Sequence, residues 1–142
     1  MKKEMNGMES KAKVFIVDDE ESLRFLYAEA LREEGYEPIP VKNGKEAILM
    51  LKDTKPDLIV LDIIMPVMDG MEALDRIIGQ YKEIPIILNS SYLHYKDNFM
   101  SRAADGYLTK SSDLKQLKGT IRNLLEQIKQ IKGKGLTQLQ IS

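Results

Sequence analysis

The stretch Leu58-Ile59-Val60-Leu61 runs directly into Asp62, and it belongs to a set of three short apolar runs that decide the fold. The other two also end on polar residues: Val14-Phe15-Ile16-Val17 before Asp18-Asp19, and Pro85-Ile86-Ile87-Leu88-Asn89 before Ser90-Ser91. Short apolar runs separated by helical stretches are typical of buried strands in a parallel sheet. Because ligands of such sheets bind at the carboxyl ends of the strands, the polar residues at these ends form a candidate site.

The rest of the chain continues this alternation of strands and helices. The apolar patterning predicts strands at 13–17, 37–41, 57–61, 84–89 and 106–109. Apolar residues at helical spacing predict helices at 22–34, from Asn43, from Asp69 to Tyr81, at 93–104 and from Ser112 onward. A strand followed by a helix, five times over, indicates an α/β protein with a five-stranded parallel sheet and helices on both faces. Pro38 and Pro40 suit only an edge strand.

Three aspartates converge at one edge of the sheet if the first and third strands are neighbours. At roughly 5 Å and an effective dielectric near 20, each pair of carboxylates repels by about 3 kcal/mol. Asp18, Asp19 and Asp62 therefore need a cation or raised pKa values to lie side by side. Magnesium, a hard ion that takes a few carboxylates together with phosphate oxygens, is the expected partner of such a cluster.

The composition describes one ordinary domain, expected at 12–132. The chain has 142 residues, of which 43% are hydrophobic, enough for a real core. It contains no cysteine, which excludes disulfides and thiolate metal sites and suits a cytoplasmic protein. No apolar run approaches the roughly 18 residues of a membrane span, so no membrane contact is expected. Residues 1–11 are interpreted as a disordered leader, and residues 133–142 as a flexible tail or the start of a linker.

The charge pattern gives little reason to expect nucleic-acid binding. The net charge is -1, so bulk charge does not attract a polyanion. Seven lysines and arginines lie between Lys110 and Lys134, against Asp113 and Glu126. They do not share one narrow face with aromatic residues, as a single-strand binder would prefer. A solvated helix surface is the interpretation, and no direct nucleic-acid contact is expected.

Together these motifs resemble the receiver domain of two-component response regulators, similar to the chemotaxis receiver. The resemblance extends from about Ala12 to Ile131. Four features in order carry it: Val17-Asp18-Asp19-Glu20, Leu61-Asp62-Ile63-Ile64-Met65-Pro66-Val67-Met68-Asp69-Gly70, Ser90 at 28 residues past Asp62, and Gly106-Tyr107-Leu108-Thr109-Lys110. The resemblance implies a flavodoxin-like, doubly wound receiver fold.

The resemblance also implies that the chain is a signalling domain and not an enzyme. Asp62 would accept a phosphoryl group from a sensor histidine kinase or a phosphotransfer protein, and the domain would assist its own phosphorylation and dephosphorylation. Asp18, Asp19 and Asp62 would hold Mg²⁺, together with the backbone carbonyl of Ile64. An ionised carboxylate is a weak nucleophile, so the charge of the incoming phosphoryl group must be neutralised by the metal and a lysine.

Three further residues would sense the phosphoryl group if the resemblance holds. Lys110 would pair with the phosphoryl oxygens, Ser90 would donate its hydroxyl to them, and Tyr107 occupies the family's aromatic switch position. Phosphorylation would replace the single negative charge of Asp62 by two. Such a local electrostatic change can shift a protein surface between two conformations. The output is expected to be a protein contact with an unknown partner or domain, by a monomer or a phosphorylation-dependent homodimer.

One departure from the family keeps an alternative open. Ser111 follows Lys110 where the family commonly has a proline joined by a cis bond. A cis bond before a non-proline residue costs about 2.5–4 kcal/mol, so a trans bond is predicted. A pseudo-receiver that binds proteins independently of phosphorylation is the alternative. A magnesium-dependent phosphatase of the haloacid dehalogenase type is disfavoured, because Ile64 stands where that chemistry wants a second acid.

Overall fold

Five parallel strands form one sheet in the computed structural model, which describes residues 11–63, 70–90, 104–110 and 114–141. The strands are β1 (Lys13–Val17), β2 (Glu37–Val41), β3 (Leu58–Asp62), β4 (Ile86–Ser90) and β5 (Gly106–Thr109). They pair side by side in the order β2-β1-β3-β4-β5, and every pairing is parallel. The expected five-stranded parallel sheet is confirmed, and the proline-containing β2 lies at its edge.

Four helices lie within the described residues. α1 (Glu21–Glu33), α2 (Gly44–Met50) and α3 (Gly70–Gln80) each lie between two strands, and α4 (Lys115–Ile141) follows β5. α1 ends where Gly35 adopts a positive φ of 95°. The N–H groups of Gly35 and Tyr36 then donate to the carbonyls of Arg32 and Leu31, which satisfies the last turn. None of the described helices is long and apolar enough to cross a membrane. The predicted helix at 93–104 falls, except for Ala104, outside the described residues.

The core consists of two layers, one on each face of the sheet. Because side chains alternate along a strand, Phe15 and Val17 contribute to one layer while Val14 and Ile16 contribute to the other. Buried residues of the helices complete the layers: Ala47, Leu74 and Ile77 from α2 and α3 in the first, and Tyr27, Leu31 and Ile121 from α1 and α4 in the second. Both faces of the sheet are therefore covered, as the continuous apolar runs predict.

The backbone of the last helix continues into the segment expected as a flexible tail or the start of a linker, 133–142. α4 is helical to Ile141, although Gly133 and Gly135 are poor helix formers. Once a helix is nucleated, each further residue adds a hydrogen bond at little cost, so a long preceding helix carries two glycines through. The expectation of a flexible tail or linker there stays a prediction. The expected leader at 1–11 lies outside the described residues, apart from Lys11.

Candidate phosphoryl site

The acidic cluster lies where the neighbouring strands β1 and β3 end. Val17 and Leu61 are partners in the parallel register, so the next residue of each strand, Asp18 and Asp62, reaches the same edge. Asp18 is 2% exposed and Asp62 is 5% exposed, whereas Asp19 is exposed to solvent. One carboxylate oxygen from each of these three aspartates lies within 4.8 Å of the others. The structure therefore brings together the three aspartates that the sequence singled out.

Backbone and side-chain hydrogen bonds hold Asp18 in place at the start of α1. Its Oδ1 accepts a hydrogen bond of 2.9 Å from the backbone N–H of Glu20. Its carbonyl oxygen accepts one of 2.6 Å from the guanidinium of Arg24, which lies in α1. These contacts leave Oδ2 of Asp18 directed toward the centre of the cluster, where it meets a lysine. The sequence did not predict the roles of Glu20 and Arg24.

Lys110 supplies the positive charge in this cluster. Its Nζ lies 2.9 Å from Oδ2 of Asp18 and 3.1 Å from Oδ2 of Asp62, and its side chain is 11% exposed. Glu20 is a more distant partner at 3.9 Å. Burial by itself lowers the pKa of Lys110, but the hydrogen bond to Asp18 and the charge of Asp62 outweigh burial, so the net pKa is raised. The ammonium is therefore firmly protonated at neutral pH.

The backbone of β4 and β5 aims Lys110 at the cluster. Ser90 and Thr109 are partners in the register, and the backbone N–H of Lys110 donates a 2.7 Å hydrogen bond to the carbonyl oxygen of Ser90. The two strands thus remain paired to the residue from which the lysine side chain departs. The Lys110–Ser111 bond includes a residue outside the described ranges, so its predicted trans geometry stays a prediction.

Ser90 and Tyr107 occupy the strand positions expected of them. Ser90 is fully buried at the carboxyl end of β4, beside Asn89, which is the register partner of Asp62. Tyr107 is half-buried in β5 and packs against the core layer that contains Leu88, its register partner. The positions of both residues therefore agree with the expectation, while their roles in a switch stay predictions.

The donor set of the acidic cluster fits a hard divalent cation. Carboxylate oxygens are the ligands that Mg²⁺ takes from proteins, and Asp18, Asp19 and Asp62 offer three within 4.8 Å. Asp19 is exposed, so an ion reaching this edge could keep part of its water shell. Ile64, whose carbonyl was expected as a further ligand, lies outside the described residues.

The sequence did not predict a buried polar pair that lies beside the site. Nδ2 of Asn89 donates a 3.2 Å hydrogen bond to the hydroxyl of Tyr27, which lies on α1. Burial raises the pKa of Tyr27, and the hydrogen bond from Asn89 offsets only part of that effect. One signal in the sequence pointed to this pair: Asn89 is a polar residue inside a run that is otherwise apolar.

Comparison with known proteins agrees with this fold. The family model described as the response regulator receiver domain matches residues 14–122, which is most of the chain. The class of protein to which this sheet belongs is therefore a receiver-type signalling domain. This chain belongs to the family of response regulator receiver domains of two-component systems.

Relatives and solved structures support this assignment. The transcriptional regulatory protein TrcR of Mycobacterium tuberculosis is 35% identical over 122 residues, which cover 82% of this chain and 46% of TrcR. The chain thus spans about half the length of the curated relatives it matches.

Two solved structures contain the same receiver, TrrA of Thermotoga maritima. It is 39% identical to this chain, and the match covers 80% of this chain and 98% of TrrA in both structures. The structure of TrrA in complex with Mg²⁺-BeF superposes with a TM-score of 0.77. The complex of the histidine kinase ThkA with TrrA gives a TM-score of 0.76.

Proposed function

We propose that this receiver domain accepts a phosphoryl group on Asp62 from a sensor histidine kinase, with Mg²⁺, and thereby switches a protein-interaction surface. The observation that carries the proposal is the arrangement at the edge of the sheet. Three carboxylates lie within 4.8 Å of one another, and the Nζ of Lys110 lies 2.9 and 3.1 Å from two of them. A buried carboxylate beside a lysine ammonium, with further carboxylates able to hold Mg²⁺, suits a site that receives a phosphoryl group, because the two cations neutralise the charge of that group.

Asp62 is the proposed nucleophile because it is buried at the centre of this arrangement and contacts Lys110 directly. The P–N bond of a phosphohistidine breaks as a bond forms between phosphorus and a carboxylate oxygen of Asp62. The electron pair of the broken bond stays with the imidazole nitrogen, which then takes a proton from water. Lys110 keeps its proton throughout and pairs with the oxygens of the transferred group.

Asp18, Asp19 and Asp62 are the residues proposed to hold Mg²⁺, with the carbonyl of Ile64 as a further ligand. When bound, the ion neutralises the negative charge that gathers on the carboxylates and the phosphoryl oxygens. Asp18 is fixed for this role by the N–H of Glu20 at Oδ1, which leaves its other oxygen for cations. The structure of TrrA with Mg²⁺-BeF supports the choice of ion.

Ser90 and Tyr107 are the proposed switch residues. Ser90 lies buried at the end of β4, next to the register partner of Asp62, and its hydroxyl is proposed to respond to a new charge on Asp62. Tyr107 lies half-buried on the adjacent strand. Movement of these two side chains would alter the surface around β5 and α4 that an output partner meets. The complex of TrrA with ThkA supports a histidine kinase as the phosphoryl donor.

The output partner stays open in this proposal, as does the choice between a monomer and a phosphorylation-dependent homodimer. A cytoplasmic location is part of the proposal, because that is where a receiver would meet the kinase domain of a sensor.

Intact-mass measurement after incubation with acetyl phosphate and Mg²⁺ tests the proposed chemistry. We expect the wild-type chain to gain the mass of one phosphoryl group and Asp62→Asn to gain none, because the amide is not a nucleophile. Chelating the Mg²⁺ should abolish the gain. Equal gains in both proteins would contradict the assignment of Asp62. No gain in the wild type, with Mg²⁺ binding intact, would favour the pseudo-receiver.

A further inference from the structure

The hydrogen bond between Tyr27 and Asn89 is an unusual feature of the layer beneath the phosphoryl site. Tyr27 is 2% exposed and Asn89 is 5% exposed, and the core layer that surrounds Tyr27 is otherwise apolar. A buried polar pair gains little stability over two apolar side chains of similar shape. Stability alone therefore does not explain why a hydrogen-bonded pair lies at this position.

The pair joins α1 to the strand that carries Ser90. Asn89 precedes Ser90 in β4 and is the register partner of Asp62 in β3. Lys110, Asp18 and Asp62 all lie near enough to influence the pKa of the Tyr27 hydroxyl. The hydrogen bond consequently ties the carboxyl end of β4 to a helix at the place where a phosphoryl group on Asp62 would be attached.

The described groups around Asp62 are largely buried. Asp62 is 5% exposed, Ser90 is fully buried, and the Lys110 ammonium contacts both Asp18 and Asp62. A cavity of about 10 Å³ lies beside the pair, lined by residues that include Tyr27, Asn89, Thr109 and Leu117. Because protein interiors are closely packed, a new group on Asp62 pushes on its neighbours, and Asn89 is the register partner of Asp62 in β4.

We propose that the Tyr27–Asn89 hydrogen bond is a tether that holds the end of β4 in its unphosphorylated position and thereby slows phosphoryl gain at Asp62. The inference rests on the proposed function and adds a regulatory element to the same site. Tyr27 and Asn89 are positioning residues here, because they act through the position of β4 and not on the reacting atoms. Thr109 and Leu117 line the same cavity, so movement of Asn89 would also reach β5 and α4.

The test compares the rate of phosphoryl gain in variants that remove the tether. Tyr27→Phe removes only the hydroxyl, and the double variant Tyr27→Phe with Asn89→Val removes both polar partners, so no buried group is left without its partner. Ile77→Val is the matched control: it truncates a fully buried side chain in the other core layer, away from the pair. For each protein, intact mass after mixing with acetyl phosphate and Mg²⁺ gives the rate, and thermal unfolding gives the stability.

The tether predicts a faster gain in the double variant, by about fivefold, the factor that corresponds to one net hydrogen bond. Tyr27→Phe should also gain the phosphoryl group faster than wild type, even if it unfolds at a lower temperature. If the double variant does not fold, the rate of Tyr27→Phe alone tests the tether. Ile77→Val should melt earlier but keep the wild-type rate. A faster gain in the tether variants together with an unchanged rate in Ile77→Val distinguishes release of a tether from general loosening.

Rates in the tether variants that equal or fall below the wild-type rate would overturn the inference while leaving the proposed function intact. The same conclusion would follow if Ile77→Val also gained faster, because loosening alone would then explain the effect. No gain in the wild type would instead refute the proposed function, and the tether with it.

Discussion

Replacing Lys110 by methionine removes a cation that contacts both buried aspartates and keeps most of the side chain's length. The ammonium lies 2.9 Å from Asp18 and 3.1 Å from Asp62. At an effective dielectric near 20, a unit pair at about 3 Å attracts by roughly 5 kcal/mol before the cost of desolvation. Removing one partner of a buried ion pair costs about 3–5 kcal/mol in practice. Because Asp19 is exposed and water reaches this edge, we expect about 3 kcal/mol, the lower end.

The same variant should bind Mg²⁺ more tightly, since Lys110 competes with the ion for two of its three carboxylates. We expect the dissociation constant to fall about tenfold, which is about 1.4 kcal/mol. Saturating Mg²⁺ should accordingly restore much of the lost stability of Lys110→Met. Phosphoryl gain should nevertheless be lost, because no ammonium remains to pair with the phosphoryl oxygens.

Isothermal titration with Mg²⁺ and thermal unfolding with and without the ion measure both effects. Lys55→Met is the matched control, because Nζ of Lys55 lies 2.9 Å from Glu83 but both side chains are more than half exposed. Such a surface pair contributes about 0–1 kcal/mol, so the control should match wild type in both assays. The reasoning is refuted if Lys110→Met binds Mg²⁺ no more tightly than wild type, or if it melts like wild type without the ion.

Three further predictions follow from the described contacts. The folded-state pKa of Lys110 is raised, so the stability that its charge contributes is fully present below the ordinary lysine pKa and is lost as pH rises through the raised value. The difference in unfolding free energy between wild type and Lys110→Met, measured by denaturant unfolding, should therefore shrink only in the alkaline range. Asn43→Ala should lose about 1 kcal/mol in the same assay, because the side chain accepts from the N–H of Glu46 at the start of α2, and phosphoryl gain should be unchanged. Gly35→Ala should lose about 1–2 kcal/mol of unfolding free energy, because a φ of 95° disfavours a residue with a side chain. Wild-type stability in Asn43→Ala or in Gly35→Ala would contradict the explanation given for that residue.

The sequence predicted the acidic site because its geometry depends on few variables. Asp18 and Asp62 each follow an apolar run, and the carboxyl ends of neighbouring parallel strands reach one edge. Adjacency of the two strands was the only further condition, and the register of Val17 with Leu61 meets it. For the elements that the structure describes, the strand and helix bounds followed from the apolar patterning to within a few residues, except that α4 continues to Ile141.

Contacts between distant side chains could not be predicted in the same way. Tyr27 and Asn89 are 62 positions apart, and their hydrogen bond depends on how α1 packs across β4. Tyr27 fits the apolar face of its helix, so helical periodicity gives no sign of a polar partner. The 2.9 Å contact between Lys110 and Asp18 likewise depends on the position of β5 in the sheet. Lys110 follows β5, which pairs with β4, and both β3 and β4 lie between β5 and β1.

Locating the phosphoryl group on the chain tests the central claim most directly. After acetyl phosphate and Mg²⁺ treatment, borohydride reduces an aspartyl phosphate to homoserine, and peptide fragmentation identifies the altered position. We predict that position 62 alone is altered in the wild type and that omitting Mg²⁺ removes the signal. Alteration at Asp18 or Asp19 in place of Asp62, or at no aspartate, would contradict the claim that Asp62 is the phosphoacceptor.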